Sequence, residues 1–321
     1  MTAPTPSPHP PSRRSRRAVL AGGAVLLGAA LAGCADGGSP GSAPSETKAP
    51  EGASVVVGAA SFPESQVIAN LYAGSLRARG FDASVTAGLG TREAYMKALR
   101  DGKVDLVPDY SGNLLVFLDP KATEKSAGDV TRALAEKTPN GLTVLPAAQA
   151  ENTDSLVVTA VTAEKYKLAS LEDLGRVCGK LALAAPAEFA KRPGGLPGLK
   201  ETYGCEPKSF TAVEDGGGPQ TVNALTSDAV QVADIFSTSP AIDDNGLVAL
   251  EDTKHNWAAQ QVVPVGRTAK MDDAAKAAIA QVQSKLTTAD LVDLNRKVSG
   301  HNKISPAEAA AEWLKSKGIA K

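Results

Sequence analysis

The chain has 321 residues, 43% of them apolar, with 34 Lys and Arg against 35 Asp and Glu and a formal net charge of -1. That balance excludes a strongly basic nucleic-acid binder, and three cysteines with three histidines are too few for most metal clusters. The apolar content is ample for a core, the length fits about two domains, and an aromatic content of only 4% leaves few rings for any one purpose.

The first segment reads as an address. Arg13, Arg14, Arg16 and Arg17 precede an apolar run from Ala18 to Ala32. That run is shorter than the roughly 20 residues of a membrane-spanning helix, so a basic block followed by a short apolar stretch and small residues reads as an export signal over 1–33. It ends in Leu31-Ala32-Gly33-Cys34, which resembles the bacterial lipobox, whose Cys is acylated and becomes the first residue. Ser15-Arg16-Arg17-Ala18-Val19-Leu20 resembles the twin-arginine export motif. Both place the body outside the cytoplasmic membrane, on its outer face and tethered through Cys34. Residues 34–52 are rich in Gly, Ser and Pro and read as a flexible tether. The removed segment carries four arginines and no acid, so the mature formal charge becomes -5.

The body alternates strands and helices. Val55 to Val57 centre a short buried strand. Pro63 fits a first helical turn after Ser61 and Phe62, and Val67, Ile68, Leu71, Tyr72 and Leu76 share one helical face up to Gly80. Ala83 to Thr86 reads as a second strand, and Thr91 caps a helix to about Leu99. Val104 to Val107 reads as a third strand, with Pro108 to Asn113 as the loop after it. The same pattern returns in the second half. Strands are expected at Leu181–Ala184, Ser209–Val213 and Val230–Asp234, with a helix at Gln220–Leu225. Val262 to Val265 then leads into helices near Asp272–Leu286, Thr288–Val298 and Pro306–Lys315, with Thr288 as a capped start. Cys178 and Cys205 stand 27 positions apart; in an oxidising compartment they pair as a disulfide, with two buried free thiols as the alternative.

This order implies α/β architecture with mainly parallel sheets. In open sheets of this kind ligands bind beyond the carboxyl ends of strands. The loops at 60–64, 88–92 and 108–113 are therefore site candidates.

Five stretches carry a resemblance. Val57-Gly58-Ala59-Ala60-Ser61-Phe62-Pro63-Glu64-Ser65, Gly88-Leu89-Gly90-Thr91-Arg92-Glu93 and Pro108-Asp109-Tyr110-Ser111-Gly112 occur in the first half. Glu188-Phe189 with Arg192-Pro193 and Gly195-Leu196, and Val232-Ala233-Asp234-Ile235-Phe236-Ser237-Thr238, occur in the second. In this order they resemble the extracytoplasmic binding proteins for glycine betaine, choline and related osmoprotectants, from about Ser54 to Ile319. The resemblance implies a two-lobed periplasmic-binding-protein-like fold of type II. Residues 53–154 and 262–321 would form lobe 1, and 155–261 lobe 2. The chain would cross near Asn152–Ser155 and Gln260–Val263, and the lobes would close on a ligand by a hinge motion. It implies no cofactor and a non-catalytic role, with an ABC permease as partner. The alternatives are a ligand-sensing lipoprotein without a transporter and a binding protein for a different small solute.

A quaternary ammonium has no N–H to donate, so ring faces recognise it. Tyr110 matches the family's cage tyrosine, and Phe62, Phe189 and Phe236 stand at matching loops; the alternative for each ring is core packing. Asp109 offers a carboxylate or a carbonyl to the ammonium, or is simply a turn residue. Thr91 and Arg92, at a helix start, suit a ligand carboxylate, although Arg92 also reads as a solvated charge. Ser61, Ser111, Asn152 and Thr238 complete the candidate set. Val222 and Phe236 stand where relatives often carry Tyr, which widens the candidate solutes from glycine betaine to choline, carnitine, ergothioneine, another betaine or a less cationic solute. No Gly-x-Ser-x-Gly elbow and no Gly-x-x-x-x-Gly-Lys-Ser/Thr loop supports an enzyme. Gly216-Gly217-Gly218-Pro219 lacks the lysine and reads as a loop.

Overall fold

The computed structural model describes residues 49–321 apart from Glu51 and His301. The export segment, Cys34 and most of the tether lie outside the described residues. Two five-stranded sheets, each flanked by helices, build a two-domain α/β fold.

The first sheet opens with β1 (Ser54–Gly58), α1 (Pro63–Ala78), β2 (Asp82–Thr86), α2 (Arg92–Arg100) and β3 (Leu106–Tyr110). Then come α3 (Ser111–Leu118), α4 (Ala127–Lys137) and β4 (Leu142–Val144). The chain passes to the second sheet through β5 (Leu156–Thr159), α5 (Ala160–Tyr166), α6 (Leu171–Val177), β6 (Ala182–Ala185), α7 (Leu196–Tyr203) and β7 (Ser209–Ala212). This sheet is completed by α8 (Pro219–Thr226), β8 (Val232–Asp234), α9 (Ala241–Asp244) and β9 (Leu247–Ala249). The chain returns through β10 (Val262–Arg267) and ends in α10 (Asp273–Gln283), α11 (Thr288–Val298) and α12 (Pro306–Ser316).

The strand orders are β2-β1-β3-β10-β4 and β7-β6-β8-β5-β9. In each sheet three parallel strands meet a fourth, antiparallel strand that has just crossed from the other sheet. The registers fix where the crossings end. Val262 lies opposite Tyr110, and Leu156 opposite Asp234. Both crossings therefore end beside the carboxyl end of a central strand, where a ligand site is expected.

The two crossing segments also hold each other. Glu151 bridges to Gln261, and the Asn152 N–H donates to the Gln260 carbonyl at 3.1 Å. The start of α3 clamps the second segment. Ser111 N–H and Gly112 N–H donate to the carbonyls of Gln261 and Ala259 at 2.9 and 3.0 Å. A Cβ at Gly112 would lie 2.8 Å from the Ala259 oxygen, so only glycine fits without movement.

Apolar side chains pack on both faces of each sheet. Under the first sheet the α1 face read from sequence packs with α10 and α12. Tyr72 is fully buried and donates to Gln283 Oε1 at 3.0 Å, while Gln283 donates onward to the carbonyls of Pro146 and Val262. A buried polar chain thus ties α1 to the start of β10 with its main donors paired. In the second sheet Cys178 and Cys205 are both buried and joined by a disulfide, with Cα atoms 5.2 Å apart.

Several elements differ from the sequence reading. The third strand runs through Pro108 to Tyr110, because Pro108 faces Pro264 across the antiparallel pair and the two missing N–H donors share one register position. The cap of α11 is Thr287 rather than Thr288; its hydroxyl accepts from the Asp290 N–H while the Asp290 carboxylate takes the Thr287 N–H. The sequence reading left out helices α4 to α6 and strand β4, although α4 buries Val130, Ala133 and Leu134 on one face.

Candidate functional site

A cleft of about 800 Å³ is lined from both sheets. From the first come Phe62, Pro63 and Glu64 at the start of α1, and Asn295 with Val298, Ser299 and Gly300 at the end of α11. From the second come the loop 215–219 with α8, and Phe236 with Thr238 to Ala241 after β8. Asn152, on the first crossing, also lines it.

Two phenylalanines stand out. Phe62 is 44% exposed and Phe236 is 42% exposed, and both line this cleft from opposite sheets. Large exposed rings lining one cleft from two sheets mark a recognition surface. Tyr110 sits just beneath Phe62, with ring centroids 6.3 Å apart and planes 28° from parallel.

Glu64 is the polar centre of the cleft; it stands in the 60–64 loop that is a site candidate on topology, without an individual role assigned from sequence. It is 5% exposed, yet three donors converge on it. Oε1 accepts from the Tyr110 hydroxyl and from Asn152 Nδ2 at 2.8 Å, and Oε2 accepts from Asn295 Nδ2 at 2.5 Å. Every partner donates, so the group acts as an acceptor-only carboxylate. Asn295 also donates to the Thr238 carbonyl at 3.1 Å, linking the two sheets through one side chain. Burial first, then the Glu64 charge, pushes the Tyr110 phenol well above its ordinary pKa, so it stays a neutral donor. Asn295 had no signal in sequence: it stands 231 residues from Glu64 on a helix with an ordinary amphipathic pattern.

The acidic and basic candidates at the end of β3 are engaged elsewhere. Asp109 is buried and receives Arg92 Nη2 at 2.8 Å, Arg92 Nε at 3.1 Å, the Tyr95 hydroxyl at 2.9 Å and the Tyr110 N–H at 2.7 Å. Although burial works against its charge, Asp109 holds the Arg92 pKa above the ordinary value. Neither residue lines the cleft. In this structure Asp109 and Arg92, expected to meet an ammonium and a ligand carboxylate, instead pair with each other inside the first lobe. Thr91 is the exposed residue before α2, away from the cleft lining.

Three further candidates are displaced. Phe189 is fully buried among the second-sheet core, with the Arg192 guanidinium 4.9 Å from its ring centre, so its face is already covered. Ser111 is buried and spends its hydroxyl on the Ala259 carbonyl and the Gln261 N–H. Ser61 is exposed outside the lining, its carbonyl accepting from Gln66. Phe62, Phe236, Asn152 and Thr238 do line the cleft, and Tyr110 supports it from below.

The loop Gly216-Gly217-Gly218-Pro219, dismissed from sequence, forms one wall. Gly217 has φ +79°, and a Cβ there would meet Ile235 Cα at 2.9 Å, so the loop hugs β8. Asp215 plugs the start of α8: its carboxylate accepts from Gln220 N–H at 2.6 Å, Thr221 N–H at 3.2 Å and Thr221 Oγ1 at 2.6 Å. These bonds outweigh desolvation and hold the Asp215 pKa below its ordinary value.

Behind the wall, Asp234 and Asp154 share one guanidinium. Arg192 bonds Asp154 and lies 3.7 Å from Asp234 Oδ2. Asp234 Oδ1 and Arg192 Nε find no partner. Among the described residues no group of three or more His, Cys, Asp or Glu is arranged to hold a metal ion.

Residues 53–316 match the family profile described as the substrate binding domain of ABC-type glycine betaine transport system. The chain is 28% identical over 282 residues to the glycine betaine-binding protein YehZ of Escherichia coli, covering 83% of this chain and 92% of that protein. It is also 28% identical over 277 residues to a glycine-betaine-binding protein of Pseudomonas aeruginosa, covering 81% and 86% of the two chains. Among solved structures, a glycine betaine/carnitine/choline ABC transporter protein superposes with a TM-score of 0.76 at 24% identity, over 83% of this chain and 99% of that one. Ligand-free Escherichia coli YehZ superposes with a TM-score of 0.69 at 25% identity, over 84% and 100%.

Proposed function

The chain belongs to the family of substrate-binding domains of ABC-type glycine betaine transport systems, and from that premise we propose that it captures a small quaternary-ammonium solute outside the membrane and delivers it to an ABC permease for import. The family is one of transport binding proteins rather than enzymes. The observation that carries the reading is the pair of exposed phenylalanines facing one cleft from two lobes. Ring faces and a buried carboxylate suit a cation that has no N–H to donate. Curated relatives are named for glycine betaine and for carnitine.

The working cycle is a hinge motion at two crossings. Segments 152–155 and 258–262 end beside Asp234 and Tyr110, so a ligand between Phe62 and Phe236 biases both hinges. The lipobox-like Leu31-Ala32-Gly33-Cys34 supports a lipid anchor that keeps the clamp at the outer face of the membrane.

The test is thermal unfolding of the full chain, recovered from the membrane fraction, against trimethylammonium compounds, amino acids and sugars. A solute at about 100 times its dissociation constant stabilises by about 2.7 kcal/mol, and that shift is expected only among the trimethylammonium compounds. A melting curve moved by another solute class and by none of them overturns the reading.

A further inference from the structure

The cleft is built for one sign of charge. Its only charged lining residues, among those described, are two acids, Glu64 and Asp215. The basic residues around it are occupied. Arg92 is locked on Asp109, and Arg192 lies between Asp154 and Asp234. Arg296, beside Asn295, faces Asp243, Asp244 and Asp293 at 3.8, 3.0 and 2.8 Å. Three carboxylates against one guanidinium leave that edge net negative.

The backbone dipoles point the same way. A helix N-terminus is a ready anion receptor, and two face this cleft. Asp215 already fills the N–H groups of α8; no side chain caps α1, but Glu64 puts a carboxylate in its first turn, aimed at Tyr110, Asn152 and Asn295. The carboxyl end of α11, at Val298 to Gly300, also faces the cleft, and its partial charge is negative and favours cations. A zwitterion would bring a carboxylate into this field with no free donor cation to receive it.

We infer that the cleft selects a trimethylammonium cation that carries no carboxylate, and that Glu64 is the residue that sets this selection. Glu64 can do so although its oxygens are occupied. A quaternary ammonium takes no hydrogen bond, so it needs only the field of a fixed charge, and that field is strengthened by burial. Tyr110, Asn152 and Asn295 position the carboxylate for this. The inference rests on the proposed function, since it presumes that the solute has a trimethylammonium head.

Three probes of nearly equal shape separate the possibilities: choline, glycine betaine, and 3,3-dimethyl-1-butanol, the uncharged carbon isostere of choline. Calorimetric titration of the full chain is expected to show choline binding at least tenfold tighter than either of the others. Glu64→Gln is expected to lower choline affinity at least tenfold and leave the uncharged isostere unchanged, which a merely structural loss would not do. Glycine betaine binding as tightly as choline, or more tightly, overturns this inference and leaves the transport reading standing. The uncharged isostere matching choline overturns the role of charge. If none of the three binds while another solute does, both readings fall. The comparison on the unaltered chain decides the matter even where Glu64→Gln does not fold.

Discussion

The two lobes repeat one construction and balance its charge differently. In each, an aspartate near the carboxyl end of a parallel strand lies beside the incoming antiparallel strand: Asp109, next to last in β3, opposite Val263, and Asp234, last in β8, opposite Leu156. In the first lobe Asp109 meets one arginine, one tyrosine and a backbone N–H, and its oxygens are used. In the second, Asp234 and Asp154 compete for Arg192, and an oxygen of Asp234 is left without a partner. The same topology thus gives a neutral, closed pair on one side and an excess acid on the other. A buried polar group is tolerated when paired and costly when not, so the first arrangement is structural and the second is a stability deficit near a hinge.

The largest expected effect breaks the closed pair. Arg92→Met strands the Asp109 carboxylate in the interior, and removing one partner of a buried pair costs roughly 3–5 kcal/mol. Urea unfolding is expected to show that loss, while the folded variant keeps its solute affinity, because Arg92 lies off the cleft. A variant of unchanged stability would remove the distinction drawn between the lobes.

Next comes the covalent tie that only the second lobe carries. Replacing Cys178 and Cys205 together by Ser opens a 27-residue separation, and the chain-entropy account gives a loss of roughly 3–4 kcal/mol. Hydrogen exchange is expected to quicken at α6, α7 and β6 and to stay slow at α1 and β3. Equal quickening in both lobes would mean that they unfold as one unit.

The smallest effect sharpens the comparison through pH. Burial first, then the Asp154 charge, against the opposing Arg192, raises the Asp234 pKa well above the ordinary carboxyl value. The unfolded group ionises near about 3.9, so folding takes up a proton. That contribution is complete below the unfolded pKa and is lost as pH rises through the folded one, at no more than about 1.4 kcal/mol per pH unit. Asp234→Asn cannot titrate, so it is expected to gain stability relative to the unaltered chain as pH rises from weakly acid to neutral. A difference that stays flat with pH would show that Asp234 is ionised in the fold.

The sequence alone determined what is local. Strand–helix alternation, the α1 face from Val67 to Leu76 and the three final helices all follow from spacing of apolar residues within one or two turns. The cysteine pair followed from their number and the expectation of export, and five ordered stretches carried the family resemblance. What the tertiary structure decided is convergence. Phe189 and Phe236 both follow a strand and looked alike, yet one is sealed under Arg192 and the other stands in the cleft. Asp109 and Arg92 both looked ready for a ligand, and the 17 positions between them close into an ion pair. Glu64 meets partners 46, 88 and 231 residues away. A pattern read along the chain reports which face of an element is buried; which distant groups it meets depends on how two sheets and two crossings pack.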